Sequence, residues 1–207
     1  LFFKIITMLI ISQNVSNYGI PFPTDAIYRI NLAWVNSIEE FETLAKKYEN
    51  QKIFLDLPVK RIKPPNNKYS LQDVINMLQS YSNVKYLAIS NVNSKQDLEP
   101  YIDVIPNTVT LVPKIESPDG VSNVSEIVQT IPGKEKILML DHDDLFSSLT
   151  KLNESPSKFK DYVNNLYIQE STSMVLKGVD DYIKIAREKV RTHPQFANLY
   201  KDYKKDY

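Results

Sequence analysis

The chain has 207 residues, with 25 basic side chains balanced by 25 acidic ones. That length supports one domain with a substantial core, and the even charge removes any bulk electrostatic case for nucleic-acid binding. There is no cysteine and there are only two histidines, which excludes a disulfide scaffold, a thiolate metal site, a cysteine nucleophile and a poly-histidine zinc site, so any metal here takes oxygen ligands and is magnesium, manganese or calcium.

The opening run Leu1-Phe-Phe-Lys-Ile-Ile-Thr-Met-Leu-Ile-Ile11 is far short of a membrane span. Its charge lies inside the apolar run and no small-residue cleavage site follows, so it reads as a buried first strand over residues 4–11 rather than a signal peptide. Residues 12–24 are rich in Asn and Pro and show no helical period. Strands follow at residues 27–33, 52–57, 84–90, 108–115 and 136–140, each short, apolar and rich in branched or aromatic residues. Helices are expected between them at residues 37–48, 71–80, 95–105 and 124–131. They open on Ser37-Ile-Glu-Glu40, Ser70-Leu-Gln-Asp73, Ser94-Lys-Gln-Asp97 and Asn123-Val-Ser-Glu126, where a side-chain oxygen caps the first turn and an acid faces the helix dipole. Pro64-Pro-Asn-Asn67 is a loop, too short to link domains. The last third holds a helix at 157–168 overlapped by a candidate seventh strand at 164–170, a helix at 179–192, and a locally basic tail. No eighth strand is evident.

Alternation of strand and helix implies a parallel sheet covered by helices, either a (β/α)8-type TIM barrel or a doubly wound sheet, in a single domain spanning residues 1–207. There is no G-x-G-x-x-G or P-loop and there are only four glycines, which speaks against dinucleotide and Walker-type nucleotide binding. Cysteine-free composition fits the cytoplasm, with no membrane partner, and the three Asn-x-Ser sequons at Asn14, Asn123 and Asn153 then carry no meaning.

Two strand ends carry chemistry. Lys114 and Glu116 stand two apart after the apolar run Thr108-Val-Thr-Leu-Val-Pro113, so they project to one side of the sheet. At the open end of a barrel such a pair meets substrate or metal; the plainer alternative is a rim ion pair. The second end is Lys136-Ile-Leu-Met-Leu-Asp-His-Asp-Asp-Leu145. Asp144 reads equally as a metal ligand or as the cap of the next helix. Strand alternation aims Asp141 and Asp143 away from His142 and Asp144. Arg29 is an anion binder if it points inward and a salt-bridge residue if it points outward. Trp34, the sole tryptophan, is a packing or stacking residue.

Lys114-Ile-Glu-Ser-Pro-Asp-Gly-Val121 with Asn123-Val-Ser-Glu-Ile127 resembles the K-I-E-N-x-x-G-V-x-N-x-x-E-I motif of the pyruvate kinase family. Tyr86–Leu98, Phe54–Lys63, Arg29-Ile-Asn31 and Met139–Leu145 are similar, in the same order, to that family's other strand-end motifs, over residues 4–146. The resemblance implies a pyruvate kinase-like barrel of minimal form, without the lid and C-terminal domains and with an atypical part over 147–207. It implies Mg2+ or Mn2+ on Glu116 and Asp144, and catalytic roles for Lys114 and Arg29. It further implies K+ on Asn31 and Asp56, with His142 and Lys63 as accessory residues. The chain departs from the pattern at Ala33, Trp34, Val59, Lys60, His142, Asp143 and Phe146, which reshapes the pocket.

The function expected on this basis is divalent-metal-dependent chemistry on pyruvate, phosphoenolpyruvate or another 2-oxo acid through an enolate, as a lyase or minimal phosphotransferase. The alternatives are a catalytically degenerate barrel that binds a partner, and a subunit of a homo-oligomer or hetero-complex that completes the barrel.

Overall fold

The structure, a computed structural model, describes residues 9–13, 23, 25–61, 64–133, 136–155 and 157–169. Six parallel strands form one sheet in sequence order: β1 (Ile10–Ser12), β2 (Ile27–Asn31), β3 (Ile53–Leu57), β4 (Val84–Ile89), β5 (Thr110–Ile115) and β6 (Met139–Leu140). The helices are α1 (Ile38–Lys47), α2 (Leu71–Ser80), α3 (Glu99–Ile102), α4 (Pro118–Ser122), α5 (Val124–Thr130), α6 (His142–Lys151) and α7 (Lys158–Gln169). A doubly wound sheet reverses its strand order at a switch point. Here the order never reverses, so the sheet curls one way into a half-barrel.

Of the expected (β/α)8-type barrel, which the sequence left without an evident eighth strand, the structure shows the coarser part: six parallel strands among the described residues, curled into a half-barrel. The candidate seventh strand at 164–170 lies mostly within α7. Phe159, Tyr162 and Val163 pack on the core at i, i+3 and i+4, a helical spacing. The helix expected at 179–192 and the tail lie outside the described residues.

Other boundaries moved for local reasons. β2 ends at Asn31 because that side chain accepts the Ala33 N–H at 2.9 Å and starts a 3-10 turn, Leu32–Trp34. The helix expected over 95–105 divides into a 3-10 turn, Lys95–Asp97, and α3. Pro100 in the first turn of α3 has no N–H to continue an α-helical ladder from the preceding turn. Sequence reading missed α4, although Ser117 caps it by accepting the Gly120 N–H and proline follows immediately.

The two faces of the sheet bury different sets. Tyr28, Ile30, Leu55, Leu87, Ile89, Leu111 and Ile115 pack outward against helix residues that include Phe41, Val74, Leu78, Ile127 and Leu145. Ile27, Phe54, Tyr86, Ala88, Val112 and Ile137 form a separate apolar cluster on the concave face. That second cluster is the floor on which the polar residues at the strand ends stand.

The loops above β3 and β4 are tied together by Asp97. Its carboxylate pairs with Lys60 and accepts the N–H groups of Asn93 at 2.8 Å and Ser94 at 3.0 Å. Burial opposes the charged form, but the Lys60 and backbone bonds outweigh it and hold the Asp97 carboxyl below its usual range. A depressed folded value means that the stabilisation is complete above the unfolded value of ~3.9 and is lost as pH falls through the lower folded one. Asp97→Ala should cost about 1–2 kcal/mol in urea unfolding at pH 7. The gap from wild type should persist down to about pH 4 and close below it.

Candidate metal and anion site

The site grows from one alternation. Moving two residues along each strand from the apolar floor reaches a polar side chain on the same face. Ile27 leads to Arg29, Phe54 to Asp56, Ala88 to Ser90, Val112 to Lys114, and Met139 to Asp141. All five lie at or near the C-terminal ends of parallel strands, where α/β barrels place their chemistry.

Lys114 is the hub and is almost fully buried. Its Nζ stands 2.7 Å from Glu116 Oε1, 3.6 Å from Asp56 Oδ2 and 3.7 Å from Asp141 Oδ2. It also donates to Ser90 Oγ at 3.2 Å. Asp56 is completely buried and accepts Arg29 through Nε at 3.0 Å and through Nη2. Burial disfavours the Lys114 ammonium, but the charges of Asp56 and Glu116 outweigh burial and raise its pKa. Lys114 is therefore a fixed cation at neutral pH. Burial pushes the Glu116 carboxyl up against the pull of Lys114 and the Asn91 N–H, and nearby Asp141 adds to the rise.

Glu116, Asp141 and Asp144 each offer a carboxylate oxygen, all within 4.8 Å of one another. Oxygens on opposite sides of one ion stand about 4.2 Å apart on magnesium and about 5 Å apart on calcium, so the three can reach a single ion with little movement. Two cations, Arg29 and Lys114, face four carboxylates in this cluster. The surplus negative charge sits at the β6 end, where a divalent cation would balance it. Glu116 is buried there and Asp144 exposed, so the triad runs from the interior to solvent.

The structure gathers Arg29, Asp56, Lys114, Glu116 and Asp144. Arg29 points inward, to an internal partner. Asn31 and His142 serve elsewhere: Asn31 caps the turn after β2, and the His142 ring meets Phe159 edge-on at 5.8 Å. Of the two residues expected to hold K+, Asp56 pairs with Arg29 and Lys114, and Asn31 accepts the Ala33 N–H. Lys63 lies outside the described residues. Trp34 is exposed, with the Arg61 guanidinium 5.9 Å over its ring.

Strand alternation would aim Asp141 away from Asp144, yet the structure brings the two together. The strand stops at Leu140, and α6 begins at His142 with Asp141 as its cap, accepting the Asp144 N–H at 3.3 Å. Cap and third helical residue lie on one side of a helix start, which brings Asp141 and Asp144 together. Asp144 is thus not the cap. The Asp-x-x-Asp spacing was the available signal.

No family model and no curated protein matches this chain. Among solved structures it is similar to RipC from Yersinia pestis, with a TM-score of 0.51 and 16% identity, covering 78% of this chain and 69% of that one. That likeness shows an α/β fold alone. The resemblance to pyruvate kinase is corrected by these findings and by the six-stranded half-barrel that the described residues form. Its motifs are short, and local physics accounts for the most specific of them: Lys-x-Glu is alternation at a strand end, and Ser-Pro-x-Gly is a capped helix start. No helix among the described residues is long and apolar enough to cross a membrane.

Two substitutions test this construction. Asp56→Ala leaves Arg29 and Lys114 without their shared buried counter-ion and should cost about 3–5 kcal/mol in denaturant unfolding. A Cβ on Gly120 would stand 2.7 Å from the Val92 carbonyl oxygen, a backbone atom with little room to retreat. Gly120→Ala should therefore cost about 1–3 kcal/mol by the same measurement.

Proposed function

We propose that the C-terminal rim of the half-barrel binds a divalent cation, Mg2+ or Mn2+, together with a small 2-oxo acid or its enol phosphate, and stabilises the enolate in a lyase or minimal phosphotransferase reaction. The observation that carries this reading is the carboxylate triad Glu116, Asp141 and Asp144 set beside a buried lysine. Negative charge develops on the oxygen of a 2-oxo acid as its enolate forms, and preorganised cations in a water-poor site stabilise that charge. A divalent metal would supply Lewis-acid stabilisation there. Lys114, held as an ammonium by Asp56 and Glu116, supports an electrostatic or hydrogen-bonding role and speaks against one as a general base. Arg29, partly exposed beside Asp56, is the group best placed to orient a substrate carboxylate.

One observation favours a second reading. Asp56 holds both Arg29 and Lys114, so the cations are satisfied within the protein. On that reading the cluster is an ion-pair ladder in a non-catalytic barrel, which acts as a binding or structural subunit of a larger assembly.

Calorimetric titration separates the two. Oxalate, a planar dianion, mimics the enolate of pyruvate. Wild-type protein should bind Mn2+, and oxalate only when Mn2+ is present. Glu116→Gln and Asp141→Asn should each weaken Mn2+ by tenfold or more, on the order of 1.4 kcal/mol. Wild-type protein that takes up neither Mn2+ nor oxalate would overturn the enzymatic reading and leave the ladder.

A further inference from the structure

Three consecutive residues after β4 each hold a different part of the Lys114–Glu116 pair. Ser90 Oγ accepts the Lys114 ammonium at 3.2 Å. The Asn91 N–H donates to Glu116 Oε2 at 2.8 Å. The Val92 N–H donates to the Lys114 carbonyl at 3.2 Å. In an extended strand successive N–H groups point toward opposite neighbours, so Asn91 and Val92 could not both donate to the β5 end. The chain turns here because Asn91 is left-handed, with φ of 53°. Asparagine tolerates that conformation better than most residues, and valine or isoleucine hardly at all. The Asn91 side chain then locks the turn by donating Nδ2 to the Val59 carbonyl at 2.8 Å, which joins the β4 loop to the β3 loop.

We infer that Ser90-Asn91-Val92 is a positioning element for the metal site, with Asn91 aiming the Glu116 carboxylate. The Asn91 bond takes Oε2 and directs Oε1 to the Lys114 ammonium. Glu116 Oε1 lies buried beside the ammonium with no hydrogen bond of its own, so the Asn91 bond is the one that orients this carboxylate and leaves an oxygen free for a metal, the preorganisation that a ligand needs. This inference rests on the metal reading given above, and deepens it: the geometry of the first ligand is set from a neighbouring strand by a backbone amide.

The test compares Mn2+ dissociation constants for wild-type, Asn91→Val and Asn91→Gly protein by calorimetry. Asn91→Val should expel the left-handed turn and weaken Mn2+ by about 10- to 100-fold, the usual range for residues that orient a ligand. Asn91→Gly keeps the turn and should remain within about threefold of wild type. Val124→Ala, a buried change in α5, serves as a destabilised control and should leave the Mn2+ affinity unchanged. Equal weakening in the valine variant and the control, or none in the valine variant, overturns the inference. A second readout does not need the metal or a folded valine variant. Hydrogen exchange at the Asn91 amide should quicken by tenfold or more in Glu116→Ala protein, because the carboxylate that protects it is gone. Unchanged exchange also overturns the inference. Failure of wild-type protein to bind Mn2+ sinks the metal reading by itself, and the exchange measurement then decides whether Asn91 aims Glu116.

Discussion

A lysine ammonium buried among strands needs compensating charge, and the upper half of this sheet is organised around supplying it. Removing an ammonium from water costs several kcal/mol even after the protein relaxes. Lys114 meets that cost with Glu116 just past the end of its own strand, Asp56 on a strand two positions away, Asp141 at the cap of α6 just past the neighbouring strand, and the Ser90 hydroxyl between. Each partner then has its own requirement. Asp56, with no exposure at all, takes Arg29 as well. Glu116 takes the amide of Asn91, which requires a left-handed turn after β4. That turn leans on the β3 loop through Val59, and Gly120 of α4 must come close to Val92. The position of one charge thus accounts for much of the local backbone.

The concave face has two storeys with different physics. Its lower storey, Phe54, Tyr86, Ala88 and Val112, excludes water and keeps the dielectric low beneath the charges. Its upper storey holds the ions. Charge in that storey is uneven: the β2–β3 side is matched by Arg29 against Asp56, while the β5–β6 side carries the unmatched carboxylates. Exposure rises in the same direction, from buried Asp56 to exposed Asp144. Inner ion pairing therefore serves as a rigid base, and the excess negative potential faces the solvent from which a cation would arrive.

Much of this was legible in the sequence. The strands at 53–57, 84–89 and 110–115 stand out as apolar runs between capped helices, and α2 falls on the residues that its Ser70–Asp73 box predicts. The shared side of Lys114 and Glu116 follows from a period of two. Shorter-range competition moved the rest. Asn31 capped its own turn and ended β2 early, Pro100 divided a helix, and Ser117-Pro118 began one that periodicity over so few residues could not reveal. A family likeness built from such short pieces was misleading, because strand ends and helix starts impose the same residue types on unrelated chains.

The sequence by itself determined the class of the fold, the shared face of Lys114 and Glu116, and the oxygen-rich character of any metal site, since those follow from alternation and the lack of cysteine. Only the tertiary structure decided which charges meet. Asp56, the Ser90-Asn91 pair, Lys114 and Asp141 are far apart along the chain and are brought together by the register of parallel strands. A strand's own periodicity says which way a side chain points, but not which neighbour it finds there. The roles of Asn91 as a brace and Asp141 as a ligand depend on that second fact.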